Sequence, residues 1–413
     1  MLLGLGSIVG TGVFVSIGLA AELAGRQLWI AIGLSALLAL LNGLSSAQLA
    51  AVHPVSGGSY EYGRRFLGSA IGFVAGITFL FAKSASAATA ALGIGGHLAL
   101  ALGKSEPVVV STLAGLAVLL TAAIVYRGAR PAARTSLVTV GMSVGTLLLF
   151  SVLAFVHADA RADEVPTAAA PVDSYSLFAA SALMFVAFTG YGRIATLGEE
   201  VARPRVIIPR AILITLGISA ALYLIVAAAA LGLVSPETYG ELSRQTGAPL
   251  EAIAGAHLGA WMAAVIFAGA VVALFAVLVN LILGLSRVVM AMARHRELPV
   301  VFSNLNAGRT VPTYATAFVT VLILVFALLG SIEGNWSLSA CAVLIYYGIT
   351  NLAALRVAHA ERFIPRWVSV LGLCGCVALI VFIEPITLAG TLGFVVLMLL
   401  FRWLFLGRPT TAR

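Results

Sequence analysis

Residues 4–15 read GLGSIVGTGVFV, an apolar stretch that is interrupted near its middle by Gly10-Thr11-Gly12. The stretch opens a chain of 413 residues in which 61% of the residues are hydrophobic and only 10% are charged. Two glycines and a hydroxyl loosen the backbone at a point where lipid would require a closed ladder of backbone hydrogen bonds. Such an interruption persists only where it faces protein, water or a ligand. We therefore expect a broken membrane helix whose break lies inside the protein.

The rest of the chain has the composition of an integral membrane protein. Its mean hydropathy of +1.08 excludes an ordinary soluble domain. The chain divides into about twelve apolar runs, each near the roughly 20 residues that a helix needs to cross a bilayer. Short loops between these runs leave no room for a soluble catalytic domain. The predicted spans are 2–22, 28–50, 68–98, 108–126, 136–157, 177–197, 207–234, 259–286, 313–331, 337–356, 367–383 and 387–406.

Charged residues predict the orientation of the chain. With the N-terminus inside the cell, 19 of the 24 Lys and Arg residues lie in cytoplasmic segments, four lie outside, and Lys83 lies within a span. This excess predicts a multi-pass protein of the cell inner (cytoplasmic) membrane with both termini in the cytoplasm. The net charge of +8 follows from this topology. No basic patch with interleaved aromatic residues is present, so we expect no nucleic-acid partner.

A second interruption lies five spans after the first. Residues 185–201 read FVAFTGYGRIATLGEEV, with two glycines at the centre of the sixth span. Two interrupted spans at this separation begin halves of opposite topology, and in secondary transporters such pairs indicate inverted repeats with a substrate site between them. The alternative, glycines that merely permit close helix crossing, explains one break better than two in register.

These observations predict an all-α fold of about twelve transmembrane helices. Helices 1 and 6 are broken within a 5+5 inverted repeat, and two helices follow it. The expected division is 1–157 for the first repeat (helices 1–5), 177–356 for the second (helices 6–10) and 367–406 for helices 11 and 12, all in one transporter unit. At a helix break, N–H ends suit a carboxylate and C=O ends suit an ammonium group. A site with both poles has the charge pattern of a zwitterion.

Four motifs occur in order along the chain. They are Gly10-Thr11-Gly12-Val13-Phe14, the run PVSGGSYEY at 54–62, Gly198-Glu199-Glu200-Val201 followed by Pro204, and Ser286-Arg287 followed by Leu298-Pro299. Together they resemble the amino acid–polyamine–organocation family of transporters, which has the leucine-transporter-like fold. The resemblance implies secondary active transport of amino acids, by a permease or an exchanger, through alternating access.

The resemblance also implies where the substrate binds. Backbone amides around Thr11 and Gly12 would hold the α-carboxylate, and the carbonyls of Ile8 and Val9 would face the α-ammonium group. The implied substrate-binding set is Ile8, Val9, Gly10, Thr11, Gly12, Ala187, Phe188, Thr189, Gly190 and Tyr191.

In the second break, the resemblance gives the backbone and one aromatic side chain different roles. Carbonyls near Ala187 and Thr189 would complete the ammonium site. Phe188 would be a lid between the substrate and the outside, because one rotamer change of an aromatic ring can open or block a narrow path. The alternative for Phe188 is ordinary packing.

One departure from the family bears on the substrate. Many relatives have an acidic residue after the position of Tyr191, whereas Gly192 and Arg193 follow here. A pocket for cationic substrates would use a nearby carboxylate, so neutral or anionic side chains are favoured, and we expect a neutral substrate. A polyamine or other organic-amine transporter of the same fold is the alternative, and a channel is a weaker one.

The coupling ion is the second open point. From Gly259 to Leu285 the eighth span has no Ser or Thr, and Asn280 is its only polar side chain apart from its ends. A hard cation needs several oxygen ligands, so sodium coupling at the usual span-1/span-8 site is not expected. Lys83, deep in the third span, costs roughly 2.5–3.5 kcal/mol to insert. Lys83 and Asn280 are therefore the coupling candidates. The alternative for Lys83 is that it caps carbonyls of an unwound neighbour or snorkels.

Other functions lack the residues they need. An enzyme would require paired carboxylates or a His/Asp cluster, and nearly all acids lie at the ends of spans. Cys341, Cys374 and Cys376 have no further metal ligands nearby in sequence. We therefore expect no enzymatic activity, no cofactor and no metal. A small-molecule substrate, an amino acid, and the lipid bilayer are the expected partners, with the oligomeric state open. Met1 lies almost inside the first span, and whether the natural N-terminus is longer stays open.

Overall fold

A computed structural model describes residues 2–55, 57–104, 106–128, 133–158, 173–195, 201, 203–306, 308 and 311–405. These residues fold into helices and connecting turns, with no strand among them. The α-helices are α1 (Leu2–Ile8), α2 (Ile17–Ala24), α3 (Leu28–Val52), α4 (Ser59–Leu67), α5 (Ser69–Ala101), α6 (Pro107–Tyr126), α7 (Ala133–Ala158), α8 (Ser174–Phe188), α9 (Gly192–Ala195), α10 (Pro204–Leu231), α11 (Pro236–Thr246), α12 (Pro249–His257), α13 (Ala260–Arg294), α14 (Thr313–Leu329), α15 (Ile332–Leu355), α16 (Arg366–Ile380) and α17 (Pro385–Phe405).

The helices confirm the predicted all-α membrane architecture. Nine helical segments in the described residues are long and apolar enough to cross a membrane, and the first of these, Gly4–Val52, contains two of the predicted spans. Two shorter apolar helices, α14 and α16, coincide with further predicted spans. The exact number of crossings and the division into repeats stay predictions.

Burial separates a central group of helices from a peripheral one. In α5, α8 and α15, 72% of the most apolar 18-residue window is buried, against 6% in α17. The polar residues of α5 follow this pattern, because Thr78, Lys83, Ser86 and His97 are all buried. Polar groups in a membrane helix are stable only where protein partners or a cavity receive them. The central helices therefore place these polar groups against protein partners or a cavity.

A short helix and a helical hairpin cover the two ends of the central group. At the predicted cytoplasmic end, α4 packs against α5 and α15. At the predicted outer end, α11 packs against α2, and α12 packs against α13. A left-handed residue, Gly247, at φ +66°, ends α11 and turns the chain into α12. The two ends of the bundle are thus closed by different elements.

The loop before α16 is held by one side chain from α3. The Gln48 carboxamide oxygen accepts hydrogen bonds from the backbone N–H groups of Phe363 and Ile364, both at 2.9 Å. Its amide nitrogen donates to the carbonyl of Glu361 at 3.2 Å. A carboxylate at this position could accept the two bonds but could not donate the third.

Candidate substrate-binding site

The first break begins one residue earlier than the glycine pattern suggests. Helix α1 ends at Ile8, and the backbone N–H groups of Val13 and Phe14 both donate to the carbonyl of Gly10, at 3.1 and 3.0 Å. A π-helix then runs over Gly12–Ser16 before α2 begins. The wider π turn lets the chain continue in a helical direction while its ordinary hydrogen-bond ladder is interrupted. The break is therefore a loosened turn and not an open loop.

The second break is a tight turn between α8 and α9. Residues Thr189–Tyr191 form a single 3₁₀ turn directly after Phe188. The Thr189 hydroxyl donates to the carbonyl of Val186 at 2.7 Å. A Cβ atom added at Gly190 would lie 2.5 Å from the backbone carbonyl oxygen of Ser7. Only glycine permits this approach, which brings the two breaks into direct contact.

One side chain from α10 joins the two breaks. The Tyr223 hydroxyl lies 2.8 Å from the carbonyl oxygen of Ile8 and 3.1 Å from that of Ala187. A phenol has one proton to donate, so the two carbonyls share it. Each carbonyl oxygen has two lone pairs and can accept a further bond. Tyr223 thus holds the two helix ends together and leaves them able to accept from a ligand.

A cavity begins at the breaks and opens to one side of the bundle. The space between its walls, including the solvent at its open mouth, is about 1260 Å³. Its described lining includes Gly57, Gly58 and Arg287, which lie at the predicted cytoplasmic end. None of its described lining residues belongs to α2, α11 or α12. The described lining therefore reaches the predicted cytoplasmic end and does not include the elements at the predicted outer end.

Most of the predicted site residues meet at this cavity, but four do not line it. The predicted residues in its lining are Ile8, Thr11, Gly12, Ala187, Thr189, Gly190, Lys83 and Asn280. The predicted residues outside its described lining are Val9, Gly10, Phe188 and Tyr191. The Phe188 ring is fully buried and lies 5.0 Å from the ring of Tyr223, centroid to centroid. In this conformation it packs beside the site, and its role as a lid stays a prediction.

Several polar atoms around the cavity are buried without a hydrogen-bond partner in the described structure. They include Thr11 Oγ1, Asn280 Oδ1 and the hydroxyl of Tyr346, and all three residues line the cavity. Buried polar atoms are almost always satisfied in folded proteins, by protein or by water. Their clustering at one cavity is typical of a site that a polar ligand or water completes.

Lys83 reaches the second break from α5. Its ammonium group donates to the Thr189 hydroxyl at 2.7 Å, and the side chain lines the cavity while only 8% of the residue is exposed. Lys83 thus contacts a side chain of the second break and also faces the cavity. Whether it serves in coupling or only caps its neighbour stays a prediction.

The charged side chains in the described lining of the cavity are basic. Lys83, Arg193 and Arg287 line it, and no Asp or Glu is among its described lining residues. Positive charge repels a cationic side chain and attracts a carboxylate. The expectation drawn from Arg193, that cationic substrates are disfavoured, is thus consistent with the wider lining.

An apolar side chain faces the first break from α13. A Cβ atom added at Gly10 would lie 2.5 Å from Cγ2 of Val277. A hydrocarbon group at this contact offers no oxygen to a cation. This agrees with the absence of Ser and Thr between Gly259 and Leu285 in the eighth predicted span.

A buried acid anchors the predicted cytoplasmic end. Glu297, just after α13, pairs with Arg64 of α4 at 2.9 Å and lies 3.6 Å from Arg402 of α17. Burial raises the pKa of the Glu297 carboxyl, and the neighbouring Tyr60, Arg402 and Arg64 oppose this shift only in part. The cluster ties the first cytoplasmic helix to the last membrane helix.

Comparison with known proteins now identifies the family. A family model described as "Amino acid permease" matches residues 1–407. The chain belongs to the amino acid permease family. The permease is 36% identical over 384 residues to "Uncharacterized transporter Rv1999c" of Mycobacterium tuberculosis, a match that covers 92% of this chain and 83% of the relative. It is 26% identical over 382 residues to "Branched-chain amino acid permease BcaP" of Bacillus subtilis, covering 88% and 81% of the two chains.

A solved structure confirms the fold of the permease. The chain described here matches the crystal structure of MhsT in complex with L-phenylalanine with a TM-score of 0.65 and 14% sequence identity. The match covers 96% of this chain and 97% of the MhsT chain. This likeness confirms the leucine-transporter-like fold that the motifs predicted. The permease is therefore a multi-pass membrane transporter.

Some residues of the site carried no sequence signal. Tyr223, Trp336 and Tyr346 lie in apolar helices outside any recognised motif. Trp336 donates to the carbonyl of Leu183 at 3.0 Å, which ties α15 to α8 next to the cavity. Each of these aromatic residues has a polar group, and such groups usually find a partner when buried. That property marks them as candidates, but the partners of Tyr223 and Trp336 are visible only in the fold.

Proposed function

We propose that this permease moves amino acids with neutral side chains across the cell inner membrane by alternating access. The observation that carries the proposal is the meeting of both helix breaks at the closed end of a cavity that opens to one side. In transporters with broken helices, the substrate site lies at such breaks. Access from the other side would require the breaks and the outer elements to rearrange around the bound substrate.

A zwitterion matches the groups that the breaks present. The loosened turn at Thr11 and Gly12 would receive the α-carboxylate, with the unpartnered Thr11 hydroxyl as an additional donor. The carbonyls of Ile8 and Ala187 would receive the α-ammonium group, next to the Tyr223 hydroxyl. The basic side chains of Lys83 and Arg287 in the described lining disfavour a polyamine, which carries only positive charge.

The proposed transport is not coupled to sodium at the usual site. Val277 occupies the contact between α13 and the first break, where an oxygen-lined sodium site would need ligands. Lys83 is proposed to replace the missing cation or proton site at the second break. Asn280, whose side-chain oxygen is unpartnered, is proposed to contact the substrate or the coupling ion.

A binding screen tests the substrate class. The purified full chain would be tested by scintillation proximity or thermal shift against the twenty amino acids and common polyamines. Each ligand is tested at pH 5 to 8, with sodium and with N-methylglucamine in its place. We expect selective binding of one or a few neutral amino acids, indifferent to sodium. Binding of a polyamine alone would overturn the substrate class, and binding that requires sodium would overturn the coupling proposal.

A single substitution then tests the location of the site. Thr11→Val keeps the shape of the side chain and removes its hydroxyl. A hydrogen bond to a charged group contributes about 1.5–3 kcal/mol, so we expect substrate affinity to fall about ten- to a hundredfold. Thr112→Val, on the exposed face of α6, is the matched control. Equal affinities in both variants would place the carboxylate elsewhere.

A further inference from the structure

Helix α10 carries exposed arginines where its exposed apolar face begins. The helix starts at Pro204, and Arg203, Arg205 and Arg210 at this end are all exposed. Arg210 lies about 9 Å inside the helix at 1.5 Å per residue. This end of α10 is on the predicted cytoplasmic side of the bundle. The three arginines therefore place positive charge at the edge of the apolar surface of the protein.

The face of α10 that holds Arg210 is otherwise apolar. Residues spaced by three or four positions lie on one side of a helix, and Ile207, Ile214 and Ile218 stand at this spacing with Arg210. These isoleucines are 44%, 49% and 40% exposed. The opposite side of the helix, at Ile208, is fully buried. We call Ile207, Arg210, Ile214 and Ile218 the α10 stripe, and in a membrane this stripe faces the bilayer.

The helices around this end of α10 supply no acidic side chain to the arginines. They are α1, α3, α7 and α9, and none of them contains an Asp or Glu. None of the three arginines forms an ion pair in the part of the chain that the structure describes. The nearest acids along the chain, Glu199 and Glu200, lie outside the described residues. Within the described structure, the charge of Arg210 is therefore not balanced by a protein carboxylate.

An arginine on the outer surface of a membrane helix is stable where its head reaches the headgroup layer. Charged residues within spanning segments rarely face lipid, and those near a helix end extend toward the interface. A guanidinium group that arrives there can donate paired hydrogen bonds to a phosphate. Each arginine near an anionic membrane surface strengthens binding by about fivefold. A lipid phosphate is therefore the anion that the position of Arg210 favours.

We propose that the predicted cytoplasmic end of α10 binds an anionic phospholipid. Arg210 holds the phosphate, Arg203 and Arg205 lie at the headgroup, and an acyl chain follows the isoleucines of the α10 stripe. The stripe favours a lipid over a free phosphate, because a free phosphate has no hydrocarbon to place on the isoleucines. The bound lipid would fix the depth of α10 in the membrane. Tyr223, which joins the two breaks, lies about 20 Å further along the same helix.

Native mass spectrometry of the purified full chain tests the proposal without substrate. Phosphatidylglycerol and phosphatidylcholine with the same acyl chains are titrated separately, and the population with one bound lipid gives each affinity. We expect the wild type to bind phosphatidylglycerol about fivefold to a hundredfold more tightly, according to whether one or all three arginines contribute. Equal affinities for the two lipids would overturn the proposal, whatever the variants do. The measurement contains no amino acid, so its outcome is independent of the proposed function.

Substitutions of the arginines locate the lipid. Arg210→Gln should lower the affinity for phosphatidylglycerol about fivefold, and its combination with Arg203→Gln and Arg205→Gln should lower it up to about a hundredfold. The affinity for phosphatidylcholine should change little, because that lipid has no net charge. The three side chains are exposed, so the variants should fold like the wild type. A triple variant that keeps the wild-type affinity for phosphatidylglycerol would overturn the proposal.

A matched control removes the same charge elsewhere on the predicted cytoplasmic side. Arg294→Gln, Arg296→Gln and Arg356→Gln together change three exposed arginines at the ends of α13 and α15, and this variant should bind phosphatidylglycerol like the wild type. An equal loss in both triple variants would mean that the lipid responds only to total charge, which contradicts a site on α10. Millimolar glycerol 3-phosphate, the water-soluble headgroup analogue, should not displace the lipid. Displacement would assign the arginines to a free anion and overturn the assignment to a phospholipid.

Discussion

The Tyr223 hydroxyl oxygen lies 2.8 Å from the carbonyl oxygen of Ile8 and 3.1 Å from the carbonyl oxygen of Ala187. A residue of α10 thereby satisfies both broken helices at the point where they meet. The arrangement means that the breaks are held in register by a side chain and not only by backbone packing. Movement of either break relative to the other must change this contact.

Replacing Tyr223 with phenylalanine should weaken the contact between the two helix breaks without creating a cavity in the core. The ring contact with Phe188 stays, and one shared hydrogen bond is lost. Such a bond contributes about 0.5–1.5 kcal/mol net, and two buried carbonyls lose their donor. We expect a lower thermal unfolding midpoint and weaker substrate binding. Tyr239→Phe is the control, because the Tyr239 hydroxyl is buried with no hydrogen-bond partner in the described structure. Equal effects in the two variants would remove any special role of Tyr223.

Gly190→Ala should force the breaks apart. The added methyl group would lie 2.5 Å from the carbonyl oxygen of Ser7, a backbone atom that cannot rotate away. Overpacking of this kind costs about 1–3 kcal/mol, and here the strain acts directly on the site. We expect loss of transport in proteoliposomes at normal expression. Gly217→Ala on α10, where nothing lies within 4 Å of the added atom, should transport like the wild type. Full activity of Gly190→Ala would show that the close approach is not needed.

Lys83→Met should reduce transport if Lys83 replaces the missing cation or proton site at the second break. Methionine keeps the length and the apolar stem of the side chain and removes the ammonium group that contacts Thr189. Uptake of the substrate found in the binding screen, measured in proteoliposomes from pH 5.5 to 8, is the readout. Lys104→Met, at an exposed position between α5 and α6, is the matched control. An uptake profile for Lys83→Met that overlies the wild type across this range would exclude a coupling role.

Glu297→Gln should change the pH dependence of stability in a defined direction. Burial raises the pKa of the Glu297 carboxyl above its ordinary value. Its contribution to stability is therefore fully present below about pH 4.3, the ordinary value for glutamate. That contribution is lost as the pH rises through the raised pKa. Glutamine mimics the protonated form, so at pH 7 the variant should unfold at a higher temperature than the wild type.

Measuring Glu297→Gln and the wild type at lower pH shows whether ionisation of Glu297 stabilises or destabilises the protein. The difference in unfolding midpoint between Glu297→Gln and the wild type should shrink as the pH falls toward 4.3. Glu241→Gln, an exposed acid on α11, should show no such trend. A wild-type protein that is more stable than Glu297→Gln at pH 7 would mean that the pairing with Arg64 outweighs the cost of burial.

Hydrophobic composition and motif order were sufficient to predict the fold class, the family and the positions of both breaks. The reason is physical, because a bilayer restricts spanning segments to helices of a narrow range of lengths. Any glycine interruption in such a helix then stands out against its apolar surroundings. The motif at Gly10-Thr11-Gly12 and the glycines around Tyr191 could be recognised for this reason, and so could Lys83, an unpaired charge within a span.

Contacts between distant segments required the folded chain. The sequence offers no signal that Tyr223 of α10 reaches the breaks, that Phe188 packs beside the cavity, or that Glu251 meets His97 across 154 residues. A polar group inside an apolar helix shows only that some partner must exist. Which partner it finds depends on how the helices cross. Local pattern therefore predicted where the chain breaks, and packing between helices decided which side chains meet there.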